Sequence, residues 1–178
     1  MISSFFASEA FAEAMQIIRS EFFMAVWETI YVTLLSTFFS ALIGLPIGVI
    51  LAVGGKDGIV RLPSWFMHIL NIVINLLRSI PFLILMILVF PLTRALVGTV
   101  VGTTASIVPL VISGFPFVAR LAESSIREVN PNTIEMAKSM GASPFQIIVK
   151  VLIPESVPSL LSNTTIAITT ILGYSAMS

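Results

Sequence analysis

The chain has 178 residues, 57% hydrophobic and only 10% charged, where an ordinary soluble domain has roughly 45–50% apolar and about 25% charged residues. A domain of this size cannot hide that excess in a core, so lipid replaces water around most of its surface. Nine Lys+Arg balance nine Asp+Glu, cysteine is absent and His68 is the one histidine, which excludes a basic nucleic-acid-binding field, disulfides and any Cys/His metal cluster.

Residues 1–28 carry Glu9, Glu13, Glu21 and Glu28 against Arg19. They lack the basic start and short apolar run of a signal peptide and read as an external amphipathic lead-in. Residues 29–53 contain no charge, and at 1.5 Å per residue such a run exceeds the ~30 Å hydrocarbon layer, which predicts a first span. Within it Ser40, Gly44, Gly48 and Ala52 recur every four residues. The Gly44/Gly48 pair permits close helix packing, either inside a bundle or across a dimer. Gly54, Gly55, Lys56, Asp57 and Gly58 form a polar turn.

Residues 62–92 are apolar apart from Arg78 and a few uncharged polar groups, and Pro81 interrupts them. One straight helix there would reach roughly 45 Å, too long for an untilted crossing. The reading is an interfacial or partly buried half over 62–77, a break at Arg78-Ser79-Ile80-Pro81, and the crossing from Ile80 onward. Ser64, His68, Asn71, Asn75 and Arg78 share one helical face. A polar stripe does not face lipid, so it either bonds to other helices, with Arg78 at the cytoplasmic boundary or in the bundle interior, or serves transport directly.

After a connection at 93–103, a third span covers 104–122, with a bend expected from Pro109, Gly114 and Pro116. A fourth covers 157–175, with a wet or helix-bonding side of Ser159, Ser162, Asn163, Thr169 and Thr170. Pro109, Pro116, Ser162, Asn163 and Thr169 are the candidate lining of a solute path, because broken helices and hydroxyls at this depth need neighbours or water. Lys56, Arg61, Arg120, Arg127, Lys138 and Lys150 gather on one side, against Arg19 and Arg94 on the other. The positive-inside rule then places the 123–155 loop in the cytoplasm and the N-terminus outside. The fold class is all-α, a polytopic membrane helical bundle with about four spans.

The long polar loop, 123–155, reads as two short helices meeting at Gly141. Asn130-Pro131 or Asn132-Thr133 caps the first, and Glu135 falls in its opening turn. Glycine ends it by accepting a left-handed conformation. Ser143-Pro144-Phe145-Gln146 starts the second with a capping box, and Pro154 ends it. Met136, Met140, Phe145 and Ile148 would be exposed there, a knob for a partner's groove unless the hairpin folds back on its own bundle.

Glu135-Met136-Ala137, Gly141 after three residues, and Val151-Leu152-Ile153-Pro154 after nine more resemble the EAA loop of ABC-importer permeases. The resemblance extends through Trp27-Glu28-Thr29, Gly44-Leu45-Pro46-Ile47-Gly48, Arg78-Ser79-Ile80-Pro81-Phe82, Phe115-Pro116-Phe117-Val118-Ala119-Arg120 and Gly173-Tyr174-Ser175-Ala176-Met177 to methionine-importer permeases. It implies a transmembrane domain over 29–178 and an importer of an amino acid, methionine in D or L form, with another amino acid or small polar solute as the alternative. It also implies a permease homodimer in the bacterial inner membrane, a cytoplasmic ABC ATPase dimer holding ATP and Mg, and an extracytoplasmic methionine-binding lipoprotein. Glu135, Ala137 and Gly141 would shape the coupling elbow, Ser139 and Met140 would lie near the ATPase, and Pro154 would return the chain to the bilayer. The family's fifth, C-terminal span is not found in this sequence.

Gly173-Tyr174-Ser175-Ala176 also fits the G-x-S-x pattern of an intramembrane serine protease, which needs a histidine near the serine. The span order puts His68 and Ser175 on opposite sides. No phosphate-binding Gly-Lys loop, paired membrane carboxylates or catalytic cluster occurs. The chain therefore reads as a transport subunit, not an enzyme, with no cofactor of its own. A non-transporting anchor is the remaining reading.

Overall fold

The computed structural model describes residues 9–55 and 58–178. Residues 1–8 of the lead-in, Lys56 and Asp57 of the first turn, and the side chains of Glu9, Glu13 and Arg19 lie outside the described residues. Helix α1 runs from Glu9 to Val53 without a break. The boundary drawn at Glu28 is thus not a boundary in the backbone, because no glycine or proline occurs there to end a helix. Its stretch Glu21–Val53 is long and apolar enough to cross a bilayer.

The core is the parallel pairing of α1 with α4 (Thr103–Arg127). The small ridge of α1 makes it. Ser40 faces Gly114, Gly44 faces Phe115 and Val118, and Gly48 faces Ala119 and Ala122, so contacts advance four residues on both helices together. A Cβ on Gly44 would stand 2.7 Å from the Phe115 carbonyl oxygen, and one on Gly48 2.6 Å from both the Ala119 oxygen and Ala122 Cβ. Of the two uses the sequence allowed for this ridge, packing inside the bundle is the one it serves here. Helix α7 (Ile153–Ser175) returns antiparallel against α4: Asn163 meets Leu121, and Ile171 packs with Leu110.

Helices α2 (Ser64–Ser79) and α3 (Phe82–Val97) meet at 112° across Ile80–Pro81. Proline has no N–H and biases the preceding residue to extended backbone, and Ile80 lies at φ −82°, ψ 125°. The break thus falls inside the expected motif. Met67 and Ile74 pack with Leu51 and Ala119, so α2 climbs beside the core. Phe82 packs with Val32, Ile107, Leu110 and Ile171 and stacks on Tyr174 at 4.9 Å. Helix α3 then crosses the N-terminal half of α4, bringing Thr93 near Pro109. Together the two halves are long and apolar enough to form one bent membrane element.

At the far end of α4, α5 (Pro131–Ser139) and α6 (Pro144–Ile147) form the elbow. A π turn, Ile148–Leu152, joins α6 directly to α7, with the Ile153 N–H donating to the Ile148 carbonyl. Pro154 therefore does not end a helix; it is the second residue of α7, directly after the π turn. The π turn also solves a packing problem. Ile147 and Leu152 are both buried in one cluster with Val53, Ile126 and Val129, yet five residues of α-helix would leave them about 140° apart. The wider turn returns them to one face.

Candidate coupling elbow and membrane path

Each joint of the elbow is satisfied locally. Asn130 caps α5 by accepting from the Asn132 N–H at 2.9 Å, with Pro131 in the first helical turn. Glu135 is then the fifth helical residue and not in the opening turn, because the Asn130 cap, rather than Asn132, sets the start. Gly141 has φ +79°. Its N–H donates to the Lys138 carbonyl at 2.9 Å and the Ala142 N–H to the Ala137 carbonyl at 3.1 Å, the Schellman stop that glycine makes at little cost. Two residues on, the Ser143 hydroxyl accepts from the Gln146 N–H, and the Gln146 side chain accepts from the Ser143 N–H, the predicted capping box.

Ile134, Ala137, Ala142 and Ile148 turn inward onto the cluster around Val129 and Leu152. Ile148 is therefore half-buried, not part of the outer knob. Met136, Met140 and Phe145 project outward with 61%, 82% and 73% of their surface exposed, and Ser139 and Glu135 are exposed beside them. The elbow thus both folds onto its own bundle and keeps an apolar tip free. Glu135, Lys138 and Arg127 rim a crevice of about 330 Å³ between elbow and bundle.

Above the elbow, charge is concentrated on one clasp. Arg120 Nη2 donates to Asn71 Oδ1 at 2.7 Å and to Asn75 Oδ1 at 2.9 Å, while its Nη1 donates to Glu123. Glu123 also accepts from Arg127, whose Nη2 reaches the Leu51 carbonyl at 3.1 Å. Helices α1, α2 and α4 are joined through these groups. The sequence had Asn71 and Asn75 on the right face; only the fold shows that Arg120 is their donor. Arg120→Gln removes a half-buried charged donor and leaves Glu123 one cation short, which costs about 1.5–3 kcal/mol. Purified protein is expected to unfold several degrees lower in detergent, and an unchanged midpoint would mean that the clasp adds no stability.

The candidate path residues do not come together. Pro109 and Pro116 are buried in α4, which stays one helix through both. Asn163 donates to Ser125 Oγ at 2.7 Å and to the Leu121 carbonyl at 3.4 Å, holding α7 to α4. Ser162 and Thr169 point outward from α7. Arg78 also departs from expectation: it lies in the last turn of α2, exposed, far from the elbow end where α2 begins. His68 lines a cleft with Gly54 and Arg61, whereas Ser175 lines a cavity with Glu28 and Gly102 at the opposite end. No serine–histidine pair forms between them.

The architecture is that of a multi-pass membrane protein: parallel and antiparallel apolar helices ending in a capped, apolar-tipped elbow outside the spans. The family model described as binding-protein-dependent transport system inner membrane component matches residues 44–178, and the chain belongs to that family. It is 47% identical over 154 residues to a probable D-methionine transport system permease protein MetI of Vibrio cholerae, covering 86% of this chain and 68% of the relative. The D-methionine transport system permease protein MetI of Escherichia coli K12 is 43% identical over 152 residues, covering 85% and 70%. Among solved structures, a chain of the MetNI methionine ABC transporter in an inward-facing conformation superposes with a TM-score of 0.82 at 43% identity, covering 85% of this chain and 70% of that one. A chain of an amino acid ABC transporter solved with histidines shares the fold at a TM-score of 0.71 and 20% identity, covering 92% and 73%.

Proposed function

We propose that this chain is the permease subunit of an ABC importer that brings methionine into the cytoplasm. The observation that carries the reading is the elbow: a rigid, doubly capped turn with Met136, Met140 and Phe145 exposed at its tip, on a chain so similar to methionine permeases. Glu135, Ala137, Gly141 and the π turn hold that tip, Ser139 and Met140 present it, and Pro154 starts the helix that carries its motion into the membrane. The partner is a cytoplasmic ATPase dimer that binds ATP and Mg, met by a homodimer of this chain. A methionine-binding lipoprotein delivers the solute on the other side. Arg61, Arg120, Arg127, Lys138 and Lys150 cluster at the elbow end, which supports an inner-membrane orientation with the elbow inside and the N-terminus outside.

The test is reconstitution into proteoliposomes with the ATPase and binding protein of a methionine system. ATP-dependent uptake of radiolabelled methionine, absent without this chain, is the expected result. Co-purification with the ATPase but no uptake of any amino acid would favour a non-transporting anchor, and failure to co-purify would overturn the coupling role.

A further inference from the structure

Arg78 is an exposed cation in the last turn of α2, beside the helix break. Three residues before it, Asn75 is bonded to Arg120; four residues after it, Phe82 packs on Ile107 and Leu110. On α4, which runs from residue 103 to 127, those partners bracket the midpoint. At 1.5 Å per residue α4 is about 37 Å long, close to the thickness of the hydrocarbon layer. Arg78 is thus level with the middle of α4, between the Arg120 clasp and the Phe82 cluster. Among the described residues no carboxylate pairs with it and no hydrogen bond is made by its guanidinium. An arginine facing hydrocarbon costs about 2.5–3.5 kcal/mol even on insertion scales, so lipid is a poor neighbour for this face of α2.

Two further features point the same way. The chain breaks by 112° immediately after Arg78 and Ser79, and interrupted helices at mid-membrane are tolerated where they line a cavity. The polar face that ends at Arg78 begins at Ser64, His68 and Asn71, which line an open cleft of about 770 Å³ at the elbow end. One helix face thus leads from that cleft to the Arg78 guanidinium at the helix break.

We infer that the polar face of α2 is the solute-path wall and that Arg78 receives the carboxylate of the transported amino acid at the helix break. This rests on the importer reading above and assigns the path to α2 instead of Ser162, Asn163 and Thr169. Guanidinium is suited to the role because its planar fork matches a carboxylate.

The experiment uses the reconstituted permease–ATPase complex with its binding protein. Uptake of methionine is measured for wild type, Arg78→Gln, Arg78→Lys and a Ser162→Leu/Thr169→Leu double variant. Binding of radiolabelled methionine to the complex without the binding protein is measured in competition with methionine amide, which lacks the carboxylate. Loss of a charge-assisted contact predicts about tenfold or greater weakening in Arg78→Gln, partial recovery in Arg78→Lys, and loss of the preference for methionine over its amide. Unchanged uptake and preference in Arg78→Gln overturn the inference and leave the importer reading standing. A fall only in the α7 double variant overturns it in favour of α7. If the wild type carries another amino acid but not methionine, and does so through Arg78, the substrate reading falls and the carboxylate site stands. A variant that loses uptake but keeps the preference also overturns the proposal, because a merely structural arginine would behave that way.

Discussion

Replacing Gly141 by valine is expected to lower ATP-driven methionine uptake by about an order of magnitude while leaving protein level and span packing unchanged. The argument is conformational. At φ +79° the residue is left-handed, a region that costs an ordinary L-residue about 1–2 kcal/mol and is a severe outlier for a β-branched one. That cost is a factor of about 5–30 in the population of the correctly turned elbow. Contacts with the rest of the chain add nothing at the Cβ, which meets nothing within 4 Å beyond its own neighbours. A graded series follows, with asparagine best tolerated, alanine intermediate and valine worst, read as initial uptake rates in proteoliposomes. Equal rates across the series would remove the elbow's shape from the coupling step, whatever the ATPase does.

The elbow was legible in the sequence because its signals are local. Asn130, Gly141 and Ser143 each act on backbone groups within five residues, so residue type and spacing carry the whole instruction. Pro154 misled for a related reason. Read locally it stops a helix, but the i, i+5 burial of Ile147 and Leu152 demands a π turn that passes the chain into α7. That spacing was visible in the sequence, and it has meaning only once both residues are known to face one cluster.

The long-range features behaved differently. Sequence placed Asn71, Asn75 and Arg78 on one face of a helix, but nothing in the sequence says that Arg120, forty-nine residues from Asn71, joins the first two and not the third. The 112° angle between the two halves of 62–92 likewise depends on tertiary partners. Both halves are apolar and both reach α4, the first through Met67 and Ile74 against Ala119 and the second through Phe82 against Ile107 and Leu110. The candidate path on α7 illustrates the same limit: polar side chains that look wet in one dimension divide in three into Asn163, bonded to α4, and Ser162 and Thr169, facing away.

Replacing Gly48 by leucine is expected to abolish the folded bundle, and even Gly48→Ala should lower its thermal midpoint in detergent sharply. A Cβ at this position must enter within 2.6 Å of the Ala119 carbonyl oxygen and of Ala122 Cβ. The obstacle is backbone as well as side chain, so no rotamer change relieves it and α1 must move off α4. Inserted methylenes in well-packed cores cost about 1–3 kcal/mol when neighbours can yield, which sets the lower bound here. Gly55→Ala and Gly173→Ala are the controls, because a Cβ at either meets nothing within 4 Å. The sharper test is compensation. Ala122→Gly in the Gly48→Ala background removes the methyl contact but not the Ala119 oxygen, so only part of the lost midpoint should return. Full recovery would mean that the helices are held apart by side chains and that their backbones approach less closely than the four-residue register of Ser40, Gly44 and Gly48 requires.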